Sequence, residues 1–259
     1  MIKKFTLALF VCTVLLSCKS DDDKTTDEVA KAGSLNLEFS NSIGSEPVVL
    51  SDKISYTNGS NESYTISELK YIISNIVLIK EDGQEFVYPL EESYFLVNEE
   101  VSDSKKIVLK NIDPAEYSKI KFGFGVDQSK YPLNGVDNFV PTAEEGNMLW
   151  SWSAGYIFLK FEGTFTPQGG ETDNFLIHVG SHGTTLDNYK EITVELSEKV
   201  SISEKLSPIV SIQANIAKIL DGTNTHSLAA KKSIQVDPEN APKIAENVTS
   251  MFSVAKVSN

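Results

Sequence analysis

Hydrophobic and polar residues alternate with a period of two in several short stretches of the chain. The pattern is clearest in three groups of apolar positions: Leu35, Leu37 and Phe39; Ile120, Phe122, Phe124 and Val126; and Ile192, Val194 and Leu196. Because successive side chains of a strand point to opposite faces, this pattern is typical of strands with one buried and one solvated face. It predicts a mostly β protein.

Three other stretches, residues 71–79, 156–161 and 175–179, are apolar almost throughout, as in strands that are covered on both faces. Turn dipeptides separate the predicted strands, among them Asn58-Gly59, Asp82-Gly83, Gly169-Gly170 and Asp221-Gly222. Many short strands with regular turns predict an all-β fold, and specifically an antiparallel β-sandwich of Greek-key type.

Helical patterning is short and lies near the C-terminus. Asn240 is a suitable helix cap, and Pro242 suits the first helical turn. Apolar residues then recur on one helix face: Ile244, Val248 and Met251. Residues 214–220 predict a second helical turn. We therefore expect one or two short helices beside the sheets.

The first residues predict a secretory signal rather than a membrane span. Lys3 and Lys4 precede an apolar run at 5–16, whose length of about 12 residues is below the ~20 needed to cross a bilayer. The following Leu-Leu-Ser-Cys resembles a lipobox, which implies that the thiol of Cys18 carries lipid. We expect a lipoprotein signal peptide at 1–17, a lipidated, flexible acidic tether at 18–32 and one β-sandwich domain at 33–259.

These features predict an outer-membrane lipoprotein that contacts the membrane through its lipid at Cys18. The acidic cluster after that cysteine resembles the surface-export signal of Bacteroidetes lipoproteins, although a solvated spacer has the same composition. Both a periplasmic and a surface-exposed location therefore stay open.

Composition narrows the classes of function. With Cys12 in the signal and Cys18 lipidated, the mature domain has no thiol for a disulfide, a metal site or a nucleophile. The net charge is −13, which disfavours nucleic acid as a partner, and all 23 basic residues are lysines, so a bidentate arginine clamp is absent. The Gly-x-Gly of residues 123–125 lacks a third glycine, and hydrolase and P-loop motifs are absent too, so we predict no enzyme.

Both tryptophans of the chain, Trp150 and Trp152, lie in one stretch after a long polar loop at 127–147. In a regular strand they share a face, together with Met148. Core packing explains such residues, since Trp buries well and Met fills gaps, but two indoles and a thioether also suit a binding site at the rim of the domain.

Histidines supply the second part of this candidate site. His178 lies in the strand predicted at 175–179, and His182 follows in a predicted turn after Gly180. A lone strand histidine is commonly structural, yet copper accepts imidazole and thioether ligands. Zinc would need more nitrogen or sulfur ligands than this part of the sequence offers.

At these residues the chain resembles the MbnP-like copper-binding proteins, named for a methanobactin-associated periplasmic member. The resemblance covers roughly residues 33–257 and rests on ordered blocks at 69–75, 117–127, 148–163, 175–180 and 247–257. Its most specific part is Trp-Ser-Trp followed by Gly-Tyr-Ile-Phe-Leu-Lys.

The resemblance implies a secreted β-sandwich and a di-haem cytochrome c peroxidase-like partner that oxidises one tryptophan to kynurenine. Copper is then held by the kynurenine amine and a histidine. For this chain, the resemblance implies that Trp150 or Trp152 is oxidised and that His178 is the copper ligand.

The chain departs from the family pattern at one position. A related protein has histidine two residues after the modified tryptophan, where this chain has Trp152. Met148, His182 or water is then left to complete the site. Oxidation by the partner requires an indole near the surface.

Two alternatives accompany this interpretation. Asp127, Asp137 and Asn138 form an oxygen-rich group that suits calcium, although turn residues on a solvated face have the same composition. The whole domain could instead be an interaction or adhesion module that binds a protein or glycan through exposed aromatic residues, without metal.

Overall fold

The computed structural model describes residues 31–127, 137–151, 155–182 and 186–259. The predicted signal peptide and Cys18 lie outside these ranges. The described strands are β1 Gly33–Ile43, β2 Glu46–Pro47, β3 Ser51–Thr57, β4 Ser63–Ile66, β5 Glu68–Ile79, β6 Glu85–Val87, β7 Tyr94–Asn98, β8 Lys106–Ile112, β9 Ala115–Phe124, β10 Leu159–Thr166, β11 Asp173–Val179, β12 Lys190–Ile202, β13 Ile209–Asn215, β14 Ser233–Gln235 and β15 Phe252–Ser258. The described helices are α1 Val140–Glu145 and α2 Ala241–Val248.

The strands form two sheets in a sandwich-like arrangement. One sheet has the order β15-β13-β1-β2, with β8 also paired to β1, and the other has the order β12-β9-β5-β10-β11-β14, with β3, β4, β6 and β7 attached. The described pairs are antiparallel except for β1 with β13 and β11 with β14, which are parallel. The predicted all-β sandwich is therefore confirmed, with these two parallel pairs added.

An aromatic cluster joins the two sheets. Phe39 of β1 and Phe252 of β15 meet Phe122 of β9, with ring centroids 6.2 Å and 5.2 Å from that of Phe122. Tyr71 of β5 packs on Phe252 at 5.8 Å, and its hydroxyl donates a hydrogen bond of 2.8 Å to Oδ1 of Asn41 in β1. This bond satisfies a fully buried phenol, so both packing and hydrogen bonding fix the relation of the sheets.

Helix α2 begins where the sequence predicts, with Asn240 at the N-cap position and proline in the first turn, but the expected capping bond is absent. The side chain of Asn240 makes no capping bond to the helix. Instead, Asp237 Oδ1 accepts the backbone N–H groups of Glu239 and Asn240, at 3.0 Å and 2.9 Å. The carboxylate of Asp237 is the stronger acceptor and also binds the Asn240 side chain, at 3.0 Å. The turn predicted at 214–220 is a 3₁₀ helix over Ile216–Ile219.

Strands β9 and β10 lie in line along one edge of β5. Phe124 at the end of β9 pairs with Ile73, and Leu159 at the start of β10 pairs with Tyr71. Between them, the backbone N–H of Ile72 donates to the oxygen of Phe158, and its oxygen accepts from the N–H of Gly125, both at 2.9 Å. The chain thus leaves and rejoins the sheet at one residue of β5. We call residues 125–158 the inserted segment.

Two glycines allow close packing where the inserted segment begins. Gly125 has a φ of +95°, and a Cβ there would lie 2.3 Å from the ring of Phe158. A Cβ on Gly123 would lie 2.4 Å from the Tyr189 hydroxyl. The Gly-x-Gly at 123–125 therefore serves aromatic packing at a strand end.

Two findings concern longer stretches of the chain. The loop predicted at 127–147 contains helix α1 in its described part. Among the described residues, no helix is both long and apolar enough to cross a membrane.

Candidate functional site

The stretch around Trp150 is not the regular strand that its pattern predicts. Leu149 forms an isolated antiparallel bridge with Tyr156, and the Trp150 N–H donates to the oxygen of Gly155 at 3.2 Å. The chain therefore reverses between these residues, and Gly155 has a φ of +142°, a conformation that favours glycine. Trp152 lies outside the described residues, so its predicted position stays a prediction.

Trp150 is buried, with 5% of its surface exposed. Its indole packs against His178, with ring centroids 6.2 Å apart and an interplanar angle of 50°. A Cβ on Gly180 would lie 3.3 Å from the indole Nε1 and Cζ2, so the missing side chain leaves room for the ring beside β11. Trp150 is therefore buried, whereas the sequence interpretation expects the oxidised indole to lie near the surface.

His178 is positioned between two polar side chains from neighbouring strands. In the sheet register it lies opposite Lys160 of β10 and Gln235 of β14. Its Nε2 lies 2.7 Å from Oε1 of Glu162, and its Nδ1 lies 3.4 Å from the amide nitrogen of Gln235. The hydrogen bond with His178 lowers the pKa of Glu162, and the charge of Lys160 adds to that shift.

Lysine–glutamate contacts continue from this pair toward β5. The ammonium of Lys70 lies 2.7 Å from Glu68 and donates to the backbone oxygen of Gly146 at 3.2 Å. Lys160 lies 3.9 Å from the same Glu68 oxygen. Since Gly146 belongs to the inserted segment, these contacts tie that segment to the polar face of the sheet on which His178 lies.

Two other predicted metal ligands have different surroundings. Met148 is fully buried; its N–H donates to Ala143 of α1, and its oxygen accepts from Ile157, both at 2.7 Å. These bonds place Met148 beside α1 within the hydrophobic core. His182 is partly exposed, and its N–H donates to the oxygen of Leu186 at 2.8 Å. Among the predicted ligands that the structure describes, Trp150 and His178 pack ring against ring.

The residues predicted for calcium lie in the first half of the inserted segment. Asp127 follows β9, while Asp137 and Asn138 precede α1. Asn138 donates its side-chain N–H to the backbone oxygen of Glu91. Burial, aided by the charge of Asp137, raises the pKa of the Tyr156 phenol to about 12. Calcium binding by this group stays a prediction.

The described residues lack the ligand cluster that metal ions usually need. Among the residues that the structure describes, no group of three or more His, Cys, Asp or Glu side chains could hold a metal ion. A metal centred on His178 therefore needs donors of other kinds, such as an amide oxygen, water or an aryl amine.

The sequence interpretation missed Glu162 and Gln235. A signal for Glu162 was present, since Lys160, Glu162 and Thr164 occupy the alternate, partly exposed positions of β10. Its contact with His178 depends on the register of β10 against β11, which places Glu162 opposite Leu176. Period-two patterning gives the face of a side chain and not this register.

The fold and site together define a β-sandwich protein in which a buried tryptophan of the inserted segment, Trp150, packs against His178 of β11. The MbnP family model matches residues 32–239, and the chain belongs to this family. The chain is also similar to the solved structure of MbnP from Methylosinus trichosporium, with 11% sequence identity and a TM-score of 0.50. That match covers 87% of this chain and 100% of the other, and it shows a shared fold. No curated protein sequence matches the chain.

Proposed function

We propose that this chain is a copper-binding envelope lipoprotein, in which a di-haem peroxidase oxidises Trp150 to kynurenine and His178 is a copper ligand. The observation that carries the proposal is the contact of the Trp150 indole with the His178 imidazole, at 6.2 Å between centroids. Membership of the MbnP family supports it. Lipidation at Cys18 in the outer membrane is part of the same proposal.

Oxidation changes what Trp150 can do chemically. An intact indole N–H is a donor only, so it is a poor metal ligand. Two equivalents of hydrogen peroxide cleave the C2–C3 bond of the pyrrole ring, place one oxygen on each carbon and leave two waters. Hydrolysis then releases formate and frees an aryl amine. This amine has a lone pair and forms beside His178.

His178 fits the role of a ligand. Metal-binding histidines commonly hold their second ring nitrogen against a carboxylate, and Glu162 lies 2.7 Å from Nε2. Copper accepts imidazole nitrogen readily, and the bound ion would supply a redox-active centre or a cargo for delivery. Glu162 and the neighbouring lysines keep the ring oriented before any metal arrives.

The burial of Trp150 affects how it is oxidised. With 5% of its surface exposed, the indole has little area for direct contact with a partner. We therefore propose that electrons leave Trp150 through the residues that cover it. The same burial keeps the amine against His178 after the ring opens, and it weakens the alternative in which this aromatic residue forms an exposed adhesion patch.

Co-production with a di-haem peroxidase from the same host tests the proposal. We expect an intact mass that corresponds to one kynurenine, peptide mapping that places it at Trp150, and about one copper per chain. Trp150→Phe should lose both the mass change and the copper, whereas His178→Gln should keep the mass change and lose the copper.

His226→Gln is the matched control, because His226 is similarly buried, with 7% exposure against 6% for His178, but lies in a loop and not in β11. It should bind copper like the wild type. An unmodified, copper-free wild-type protein would overturn the proposal and favour the interaction module. A kynurenine at Trp152 alone would overturn the assignment to Trp150.

A further inference from the structure

The two ring nitrogens of His178 have neighbours of opposite hydrogen-bonding character. Ionised Glu162 only accepts hydrogen bonds, and its Oε1 lies 2.7 Å from Nε2. The amide nitrogen of Gln235 only donates, and it lies 3.4 Å from Nδ1. A neutral imidazole satisfies both neighbours in one tautomer, with the proton on Nε2 and the lone pair on Nδ1.

The two sides of the ring also differ in exposure. Glu162 is partly buried, with 26% of its side chain exposed, and lies beside Lys160. Gln235 is exposed at the end of β14, which pairs with β11 alone among the described strands. Glu162 and Lys160 therefore form a charged group on the Nε2 side of the ring. On the Nδ1 side, the exposed side chain of Gln235 covers the ring at the edge of the sheet.

The residue that follows Gln235 has a strained backbone conformation. Val236 follows Gln235 directly and has a φ of +44°, a conformation that is strained for a β-branched residue. Such strain costs free energy, is maintained only by surrounding contacts and is found mainly at binding and switch sites. Here it turns the chain sharply after Gln235, where β14 ends.

We infer that Glu162 is a positioning residue that fixes His178 as the Nε2–H tautomer, so that Nδ1 is the nitrogen presented to a metal and Gln235 is its displaceable cover. The inference rests on the proposed function for the identity of the metal, but the tautomer exists without metal. A metal at Nδ1 would replace the long hydrogen bond from Gln235, whose side-chain amide also carries an oxygen that could serve as a donor.

Proton–nitrogen correlation spectra of the ¹⁵N-labelled, metal-free protein test the first part. The expected spectrum shows the proton of His178 on Nε2. Glu162→Gln should populate the other tautomer, and the control Glu195→Gln, which removes a carboxylate paired with Lys119 at 2.7 Å elsewhere, should not. A proton on Nδ1 of the wild type, or no response to Glu162→Gln, would overturn the inference.

Titration of the peroxidase-treated protein with Cu⁺, which is diamagnetic, tests the second part. We expect the Nδ1 resonance to shift, Glu162→Gln to weaken binding about 10- to 100-fold, and Gln235→Ala to speed copper uptake. A shift of Nε2 instead would overturn the inference although copper binds. An Nε2–H tautomer that depends on Glu162, in a protein that binds no copper, would support the positioning role and overturn the proposed function.

Discussion

The paired sheets and the inserted segment both contribute buried side chains to the hydrophobic core, but their backbones are held in different ways. In β5 and β9 the backbone follows a continuous ladder, interrupted by one irregularity between Ser74 and Val77. The described parts of the inserted segment have a short helix and an isolated bridge, with positive φ at Asn147 and Gly155. Backbone pairing thus distinguishes the two regions. We expect the segment to open locally while the sheets stay folded.

The largest expected effect comes from the contact between the sheets. Phe122 is 1% exposed and packs edge-to-face on Phe39 and Phe252. Phe122→Ala should lower the free energy of unfolding by about 3–5 kcal/mol, because it leaves a cavity between the sheets. Chemical denaturation monitored by circular dichroism measures this change.

A matched variant in the inserted segment sharpens the comparison. Phe139 is also buried, with ring centroids 5.8 Å from both Tyr94 and Tyr156. Phe139→Ala should speed hydrogen exchange at the amides of 155–157 more than at those of β9. Val108→Ala, at a position 51% exposed, should change stability by less than about 0.5 kcal/mol. Equal acceleration in both regions of Phe139→Ala would show that they unfold as one unit.

An intermediate effect is expected where the two regions touch. A Cβ on Gly180 would lie 2.4 Å from the backbone oxygen of Tyr156 and 3.3 Å from the Trp150 ring. Gly180→Ala should therefore cost about 1–3 kcal/mol through overpacking and displace Trp150 from His178. Tryptophan fluorescence and the His178 ring signals report this displacement. Unchanged spectra with wild-type stability would show that the contact is looser than described.

The smallest expected effect is a dependence of stability on pH that comes from His226, a buried histidine in the loop before β14. Burial lowers the pKa of His226 from its usual value of 6.5, and its Nε2 lies 2.9 Å from the oxygen of Lys231. Because the unfolded chain then binds a proton more readily than the folded one, stability should fall as pH drops below about 6.5. Urea midpoints between pH 7.5 and 5 measure the slope, and His226→Gln should reduce it. An equal slope in the variant would assign the pH dependence to other groups.

The sequence predicts the framework better than the inserted segment, for a physical reason. The alternation in β1 and the helix face of α2 reflect burial of one side of a regular element, which a single sequence records directly. At 148–156 the same apolar pattern predicts a strand, but the chain reverses between Leu149 and Tyr156, which form an isolated antiparallel bridge. Gly155 permits this reversal, and hydrophobic periodicity contains no information about such a turn.

The candidate site also contains residues that the sequence identifies and residues that it does not. The family resemblance directs attention to Trp150 and His178, and the structure places their rings in contact. Glu162 and Gln235 belong to strands on either side of His178, so their roles depend on pairings that no local pattern specifies. The capping bond predicted for Asn240 is likewise absent, because its side chain donates to Asp237, three residues earlier in the chain.

The junction at Ile72 has a consequence for how members of this family diverge. Because Gly125 and Phe158 bond to one residue of β5, the two ends of the intervening chain are already side by side. Lengthening such a loop carries an entropic cost that grows only with the logarithm of its length. Mutation can therefore extend, shorten or replace this segment while the register of β9 and β10 stays unchanged. We therefore expect engineered chimaeras that exchange the tryptophan-bearing segment at Gly125 and Phe158 to keep the pairing of β9 and β10 with β5.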